Sequence, residues 1–179
     1  MSRHTTHLAL LIAVLAGALT ACSPSLEGKG CEGSDGRVRE VSSHGILGSH
    51  PTKAVVPAAF KDLESGCWED SGEAWVYAER IYVYPGPKAE VISYYEDKAA
   101  RDGWKQSRSG ARPSAKEDPT DICFIGTGKA DATVLRVSFI TKEMLRDEGR
   151  DVSPEFAAGS GYRVAVTSTV DNVKTDCDS

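Results

Sequence analysis

Trp75-Val76-Tyr77-Ala78-Glu79-Arg80-Ile81-Tyr82-Val83-Tyr84, followed by Pro85-Gly86-Pro87, carries the strongest structural signal in the chain. A run this dense in aromatic and β-branched side chains predicts a strand, with Trp75, Tyr77, Ile81 and Val83 on one face. The Pro-Gly-Pro sequence ends it, and Pro87 has the fixed φ that suits the start of a helix. Val91, Ile92, Tyr95 and Ala99 then recur along one helical face, while Glu90, Asp97 and Arg101 lie on other sides. Gly103 stands where a left-handed residue would close that helix, and Trp104 begins a short strand returning to the core.

Further along, Asp121–Thr127 and Thr133–Ile140 predict a hairpin around Gly126-Thr127-Gly128-Lys129-Ala130-Asp131. Leu135, Val137 and Phe139 share one face of its second strand. Thr141 is placed to cap a short helix over Lys142–Glu148 that Gly149 would end. A last strand, Tyr162–Val170, alternates Tyr162, Val164 and Val166 against Arg163, Ala165 and Thr167. Upstream the signals are weaker. Val38 and Val41 are expected to begin a short strand, Ser42–Lys53 reads as a loop, and Pro57–Glu64 as a helical turn with Phe60 and Leu63 facing inward. The fold class that follows is α+β: a mostly antiparallel sheet of four or five strands with one main helix packed on one face.

The chain has 179 residues, 40% hydrophobic and 26% charged, the composition of an ordinary folded domain. Its 21 Lys and Arg against 26 Asp and Glu, net −5, lack the basic clusters that neutralise nucleic-acid phosphates. The length accommodates one domain, expected over residues 37–179.

The N-terminus carries a separate message. Arg3, His4 and His7 precede an unbroken apolar run, Leu8–Leu19, which is too short to span a bilayer and has the anatomy of a secretory signal. Leu19-Thr20-Ala21-Cys22 resembles the lipobox of bacterial lipoproteins. In that family a diacylglyceryl group joins the cysteine sulfur and a dedicated peptidase cuts just before it. The resemblance implies a signal peptide over residues 1–21, lipidation of Cys22 and anchoring at the outer face of a cell membrane, where acyl chains supply stable attachment. Ser23–Gly36, rich in Gly and Ser, reads as the rest of a flexible tether over residues 22–36. Ile92-Ser93-Tyr94-Tyr95 with Asp102-Gly103-Trp104 is similar to a helix ending found in small exported proteins of high-GC Gram-positive bacteria, and that similarity implies no activity.

Once Cys22 is assigned to lipid, Cys31, Cys67, Cys123 and Cys177 remain, an even number that in an exported chain implies two disulfides. The expected pairing is Cys67 with Cys123, on one sheet, and Cys31 with Cys177, tying the ends together. No pair has the C-x-x-C spacing of zinc or redox sites.

Constellations for chemistry are few. His44 and His50 share a Gly/Ser loop; a metal site there would need Asp35 or Glu40 as a further ligand, and the plainer reading is two solvated histidines. There is no G-x-S-x-G elbow. Gly126-Thr127-Gly128-Lys129 lacks the earlier glycine and the hydroxyl after lysine that a phosphate loop requires, and reads as a turn. Glu69, Asp70 and Glu73 surround Ser71-Gly72 as an acidic turn. The function expected is a lipid-anchored envelope module that binds a protein, peptide or wall component, with no metal or cofactor. The alternative is a small hydrolase of cell-wall or extracellular polymer using Glu69, Asp70 and Glu73.

Overall fold

In the computed structural model, which describes residues 30–70, 72–107, 121–127 and 132–177, the strands form one antiparallel sheet. Their ranges are β1 Glu64–Asp70, β2 Glu73–Tyr84, β3 Lys105–Gln106, β4 Asp121–Ile125, β5 Thr133–Ile140 and β6 Ser160–Thr169. The six strands lie in the order β1-β2-β6-β5-β4-β3, one or two more than the sequence suggested. The addition is β1, which forms the edge of the sheet. Its solvent exposure on both faces leaves Glu64–Asp70 without the apolar alternation that marks a strand.

Where one main helix on one face was expected, the described residues form α1 Asp35–Ser42 and α2 Lys88–Arg101 against one face and a short α3 Lys142–Asp147 against the other. The expected strand at Val38 and Val41 is instead α1. These two residues, one turn apart, face the sheet from a helix, with Val41 buried and Arg37 donating to the Ser168 hydroxyl of β6 at 2.6 Å. The tether expected to run to residue 36 therefore gives way to folded chain earlier. Within the expected loop, Gly45–Gly48 form a 3-10 turn that buries Ile46 and Leu47.

One face of the sheet carries the main core. Val76, Ala78, Tyr82 and Tyr84 of β2 align across the ladder with Val166, Val164 and Tyr162 of β6 and with Leu135 and Val137 of β5. Onto them pack Val91, Tyr95 and Ala99 of α2 together with α1 and the 3-10 turn. Tyr82 donates its hydroxyl proton to the Leu47 carbonyl in a buried bond and Tyr95 donates to that of Ser49, just past the turn, each at 2.6 Å, so hydrogen bonds as well as apolar contact hold this segment. Four antiparallel steps separate β2 from β3, so these two strands run parallel, and α2 carries the chain across the whole face between them.

Helix closure follows the sequence reading. Gly103, at φ +84°, donates to the Ala100 carbonyl and Trp104 to that of Ala99, the paired bonds of a Schellman stop. Gly149, at φ +71°, ends α3 in the same way, while the Thr141 hydroxyl caps its start by accepting from Met144 N–H.

The opposite face is covered in patches. At one end α3 and the 3-10 turn Pro154–Ala157 enclose Phe60, Ile81, Val83, Ile140, Leu145 and Phe156. At the other end the chain after β6 crosses to Cys123.

All four cysteines are bonded, but the pairs are Cys31–Cys67 and Cys123–Cys177, with Cα separations of 5.7 and 6.0 Å. The expected Cys67–Cys123 bond is ruled out by the sheet itself. Four strand spacings, about 19 Å, lie between β1 and β4, well beyond the roughly 7 Å that a disulfide bridges. Register adds a second obstacle. Cys67 pairs with Val76 on the core face and Cys123 with Arg136 on the other, so their side chains leave opposite sides of the sheet. Proteolysis without reduction is expected to release a Cys31–Cys67 linked peptide and a Cys123–Cys177 linked peptide. Recovery of a Cys67–Cys123 peptide by mass spectrometry would contradict this strand order.

Candidate functional site

The acidic turn lies at the tip of the β1–β2 hairpin, where Glu69, Asp70 and Glu73 are exposed. Glu69 serves the fold there, because its carboxylate accepts the Cys31 N–H at 2.6 Å and helps to hold the N-terminal segment on β1. None of the three lines any of the cavities described below. Cys22 lies outside the described residues.

Both histidines lie in the loop as expected but are half-buried rather than fully solvated. The His44 ring rests against Trp104, with centroids 5.2 Å apart, and His50 lies against Tyr82 at 5.0 Å. Burial lowers the His44 pKa from its ordinary value; Glu40 opposes that shift and Arg37 adds to it. Among the described residues no three His, Cys, Asp or Glu side chains group as metal ligands would. Most of the aromatic residues are core. Trp75, Tyr77, Tyr94 and Phe139 are half-buried, and Trp68 is 44% exposed, its ring nearly parallel to that of its cross-strand neighbour Trp75.

On the second face of the sheet, Glu64 of β1 and Glu79 of β2 stand directly opposite each other. Like charges in that position repel unless a cation joins them. Arg150 does so, binding Glu64 through one nitrogen and Glu79 at 3.0 Å through another, while its guanidinium lies 5.0 Å from the centre of the Phe60 ring. Arg163 on β6 adds a second bridge, from Glu79 to Glu148. The turn at Gly149 makes this possible because Arg150 N–H folds back onto the Leu145 carbonyl. Burial raises the Glu79 pKa, with Arg163 pulling it down and Glu148 pushing it up. A cavity of about 290 Å³ beside the cluster is lined by Phe60, Glu64, Glu79 and Arg150. With each carboxylate held by an arginine, the arrangement clasps α3 and its loop to the sheet.

The largest of the cavities described is of another kind. Among the described residues β4 pairs with β5 as far as Asp121 opposite Ser138, and β5 runs on from there toward α3. A cleft of about 800 Å³ opens there, within the range of small-molecule sites. Phe139, Ile140, Met144 and Phe156 give it apolar walls, and Lys88, Arg136 and Lys142 bring positive charge from α2, β5 and α3. Gly161 belongs to its construction, since a Cβ there would strike the Phe156 ring at 2.3 Å. The Lys88 ammonium lies 5.3 Å from the centre of the Phe139 ring. Two carboxylates also line the cleft and both are engaged by arginines, Asp121 by Arg136 at 3.1 Å and Glu143 by Arg146 at 3.3 Å.

No protein-family model, curated protein or solved structure matches this chain.

The cleft was not legible in advance because its residues come from positions 88 to 161 and none belongs to a motif. The one local hint was the alternation of β5, which sets Phe139 apart from Arg136 and Ser138.

Two measurements test these assignments. Arg150→Ala leaves Glu64 and Glu79 facing each other, one of them half-buried, and is expected to cost about 2 kcal/mol in urea unfolding at neutral pH. Adding Glu79→Gln to that variant should recover part of the loss. For His44, a lowered folded pKa means that its contribution is complete above the unfolded value near 6.5 and is lost as the pH falls through the folded value. Glu79, with a raised pKa, works in the opposite sense, losing its contribution as the pH rises through the folded value. The informative quantity is therefore the difference between wild type and His44→Phe. The destabilisation of wild type on going from neutral to mildly acidic pH should shrink in the variant.

Proposed function

We propose that this protein is a lipid-anchored binding module of the bacterial cell envelope, held at the outer face of a membrane through Cys22, with the cleft beside β5 as its binding place. Three features support the reading. The N-terminal signal and Leu19-Thr20-Ala21-Cys22 have the form of a lipoprotein precursor. The other four cysteines are consumed in two disulfides, as suits an oxidising compartment. No helix among the described residues is long and apolar enough to cross a membrane, so attachment would fall to the acyl chains.

The observation that carries the proposal is polarity along the sheet. Cys31 is bonded to Cys67, whose partner Val76 lies eight residues along β2 from Tyr84, the residue paired with Ser160 at the cleft. Eight strand residues span about 26 Å. The tether would therefore leave the domain at one end of the strands while the cleft opens at the other, turned outward from the anchor and accessible to a ligand.

In cells, Cys22→Ala is expected to abolish acyl labelling and release the protein from membranes. A photoreactive residue at Met144 should form adducts on intact cells that the same residue at Glu73, on the anchor side, does not. Acyl labelling of Cys22→Ala at the wild-type level, or identical adducts from both positions, would refute the proposal.

A further inference from the structure

We infer that a second binding place, a groove along α2, takes a neutral oligosaccharide whose sugar rings are flat and equatorially substituted. The groove has a volume of about 610 Å³ and runs between one flank of α2 and the turn at Pro51–Ala54. It shares no lining residue with the cleft beside β5, so either place can bind without the other. Both of its walls are preformed. Ala54 donates its N–H to the Pro51 carbonyl at 2.8 Å, closing a turn with Thr52 and Lys53 at its corner. The Val55–Val83 bridge pins that turn beside Tyr84. On the facing wall, Tyr84 reaches past the Pro85-Gly86-Pro87 corner to donate its hydroxyl proton to Glu90. Gly86 leaves space for this, since a Cβ there would meet the Tyr84 ring at 2.6 Å. Tyr94 is held edge-on against the buried Tyr95, with centroids 5.1 Å apart, and Tyr95 is itself tied to the Ser49 carbonyl. An aromatic surface and a carboxylate are therefore already in place, which spares a ligand the cost of ordering them.

Charge, shape and length select the ligand. The Tyr84 hydroxyl is a neutral donor, so Glu90 retains its negative charge, and Asp97 lies on the same wall while Lys53 lies on the other. An anion is opposed by α2 and a cation by Lys53. Sugar hydroxyls both donate and accept, so a neutral ring finds partners on either side. Shape enters through Tyr94. The electron-rich face of a phenol ring attracts C–H groups, and a pyranose with equatorial hydroxyls presents those groups on a flat side. Length enters through the helix. From Glu90 to Asp97 the rise along α2 is about 10 Å, room for two rings of a β-1,4-linked chain. A chain laid along the helix would meet Glu90, Tyr94 and Asp97 in turn.

The test is a titration of the isotopically labelled full chain with cellotetraose and with tetra-N-acetylchitotetraose, two neutral β-1,4 chains. At least one is expected to shift the Ser93 and Tyr94 amide resonances saturably while Met144, in the β5 cleft, stays in place. Tyr94→Ala should weaken that affinity about tenfold. Asp97→Ala changes an exposed helix position, so it keeps the test decisive should Tyr94→Ala fail to fold, and it is expected to weaken binding several-fold. The same backbone with a charge on every ring should bind less tightly, whether as the glucuronate tetramer or, in mildly acid buffer, as the glucosamine tetramer. No shift with either neutral probe would overturn the inference. So would a charged tetramer that binds as tightly as the neutral ones, or folded variants that all bind as wild type does. Shifts at Met144 with Ser93 and Tyr94 unmoved would also overturn it, and would leave the β5 cleft standing as the binding place.

Discussion

The ten-residue antiparallel register between β2 and β6 governs how every other element of the domain is placed. It pairs Tyr82 with Tyr162 and Ala78 with Val166 on one face, and Glu79 with Ala165 and Ile81 with Arg163 on the other. A slip of β6 by one residue would exchange its faces, driving Arg163 into the aromatic core and exposing Tyr162 and Val164. That cost makes the register unique. Once it is set, the chemistry of each face follows: tyrosines and aliphatic side chains where α1 and α2 cover the sheet, and a bridged set of carboxylates and arginines where only α3 and loops do.

The charged face shows how a small domain tolerates polar residues at half-buried positions. Glu64 and Glu79 stand opposite each other because edge pairing puts them there. Arg150 makes the juxtaposition tolerable, and it reaches them because a left-handed glycine turns the chain back at the end of α3. Removing the turn would misplace the cation, and removing the cation would leave two anions confronting each other. The same end of the molecule builds the cleft, so the clasp that fixes α3 also fixes Lys142 and Met144 in its wall.

What could be read from the sequence was local. The strand Trp75–Tyr84, the apolar face of α2, the hairpin strands, the Thr141 cap and the two closing glycines each have signals within a few residues, and each stands where expected. Elements whose identity depends on distant neighbours were not legible. β1 exposes both faces, so periodicity is silent there. Val38 and Val41 fit a helical turn as well as a strand, and contact with β2 and β6 decides between them. The disulfide pairing required the order of strands and the face of each cysteine, neither of which spacing contains. Of the candidate site, Phe139 was visible as one member of an alternating strand. Lys88 and Lys142 were ordinary surface lysines until topology brought α2 and α3 to the same edge of β5.

The Cys31–Cys67 bond also decides how the domain bears a mechanical load. Tension applied through the N-terminal segment passes at Cys31 directly through sulfur into β1, and the intervening chain, including α1 and the Gly45–Gly48 turn, bears none of it. Without the bond, the same pull would unravel α1 first and strip its covering from the core. With it, force arrives at an edge strand zipped to β2 along its length, and the first structure to yield is that ladder.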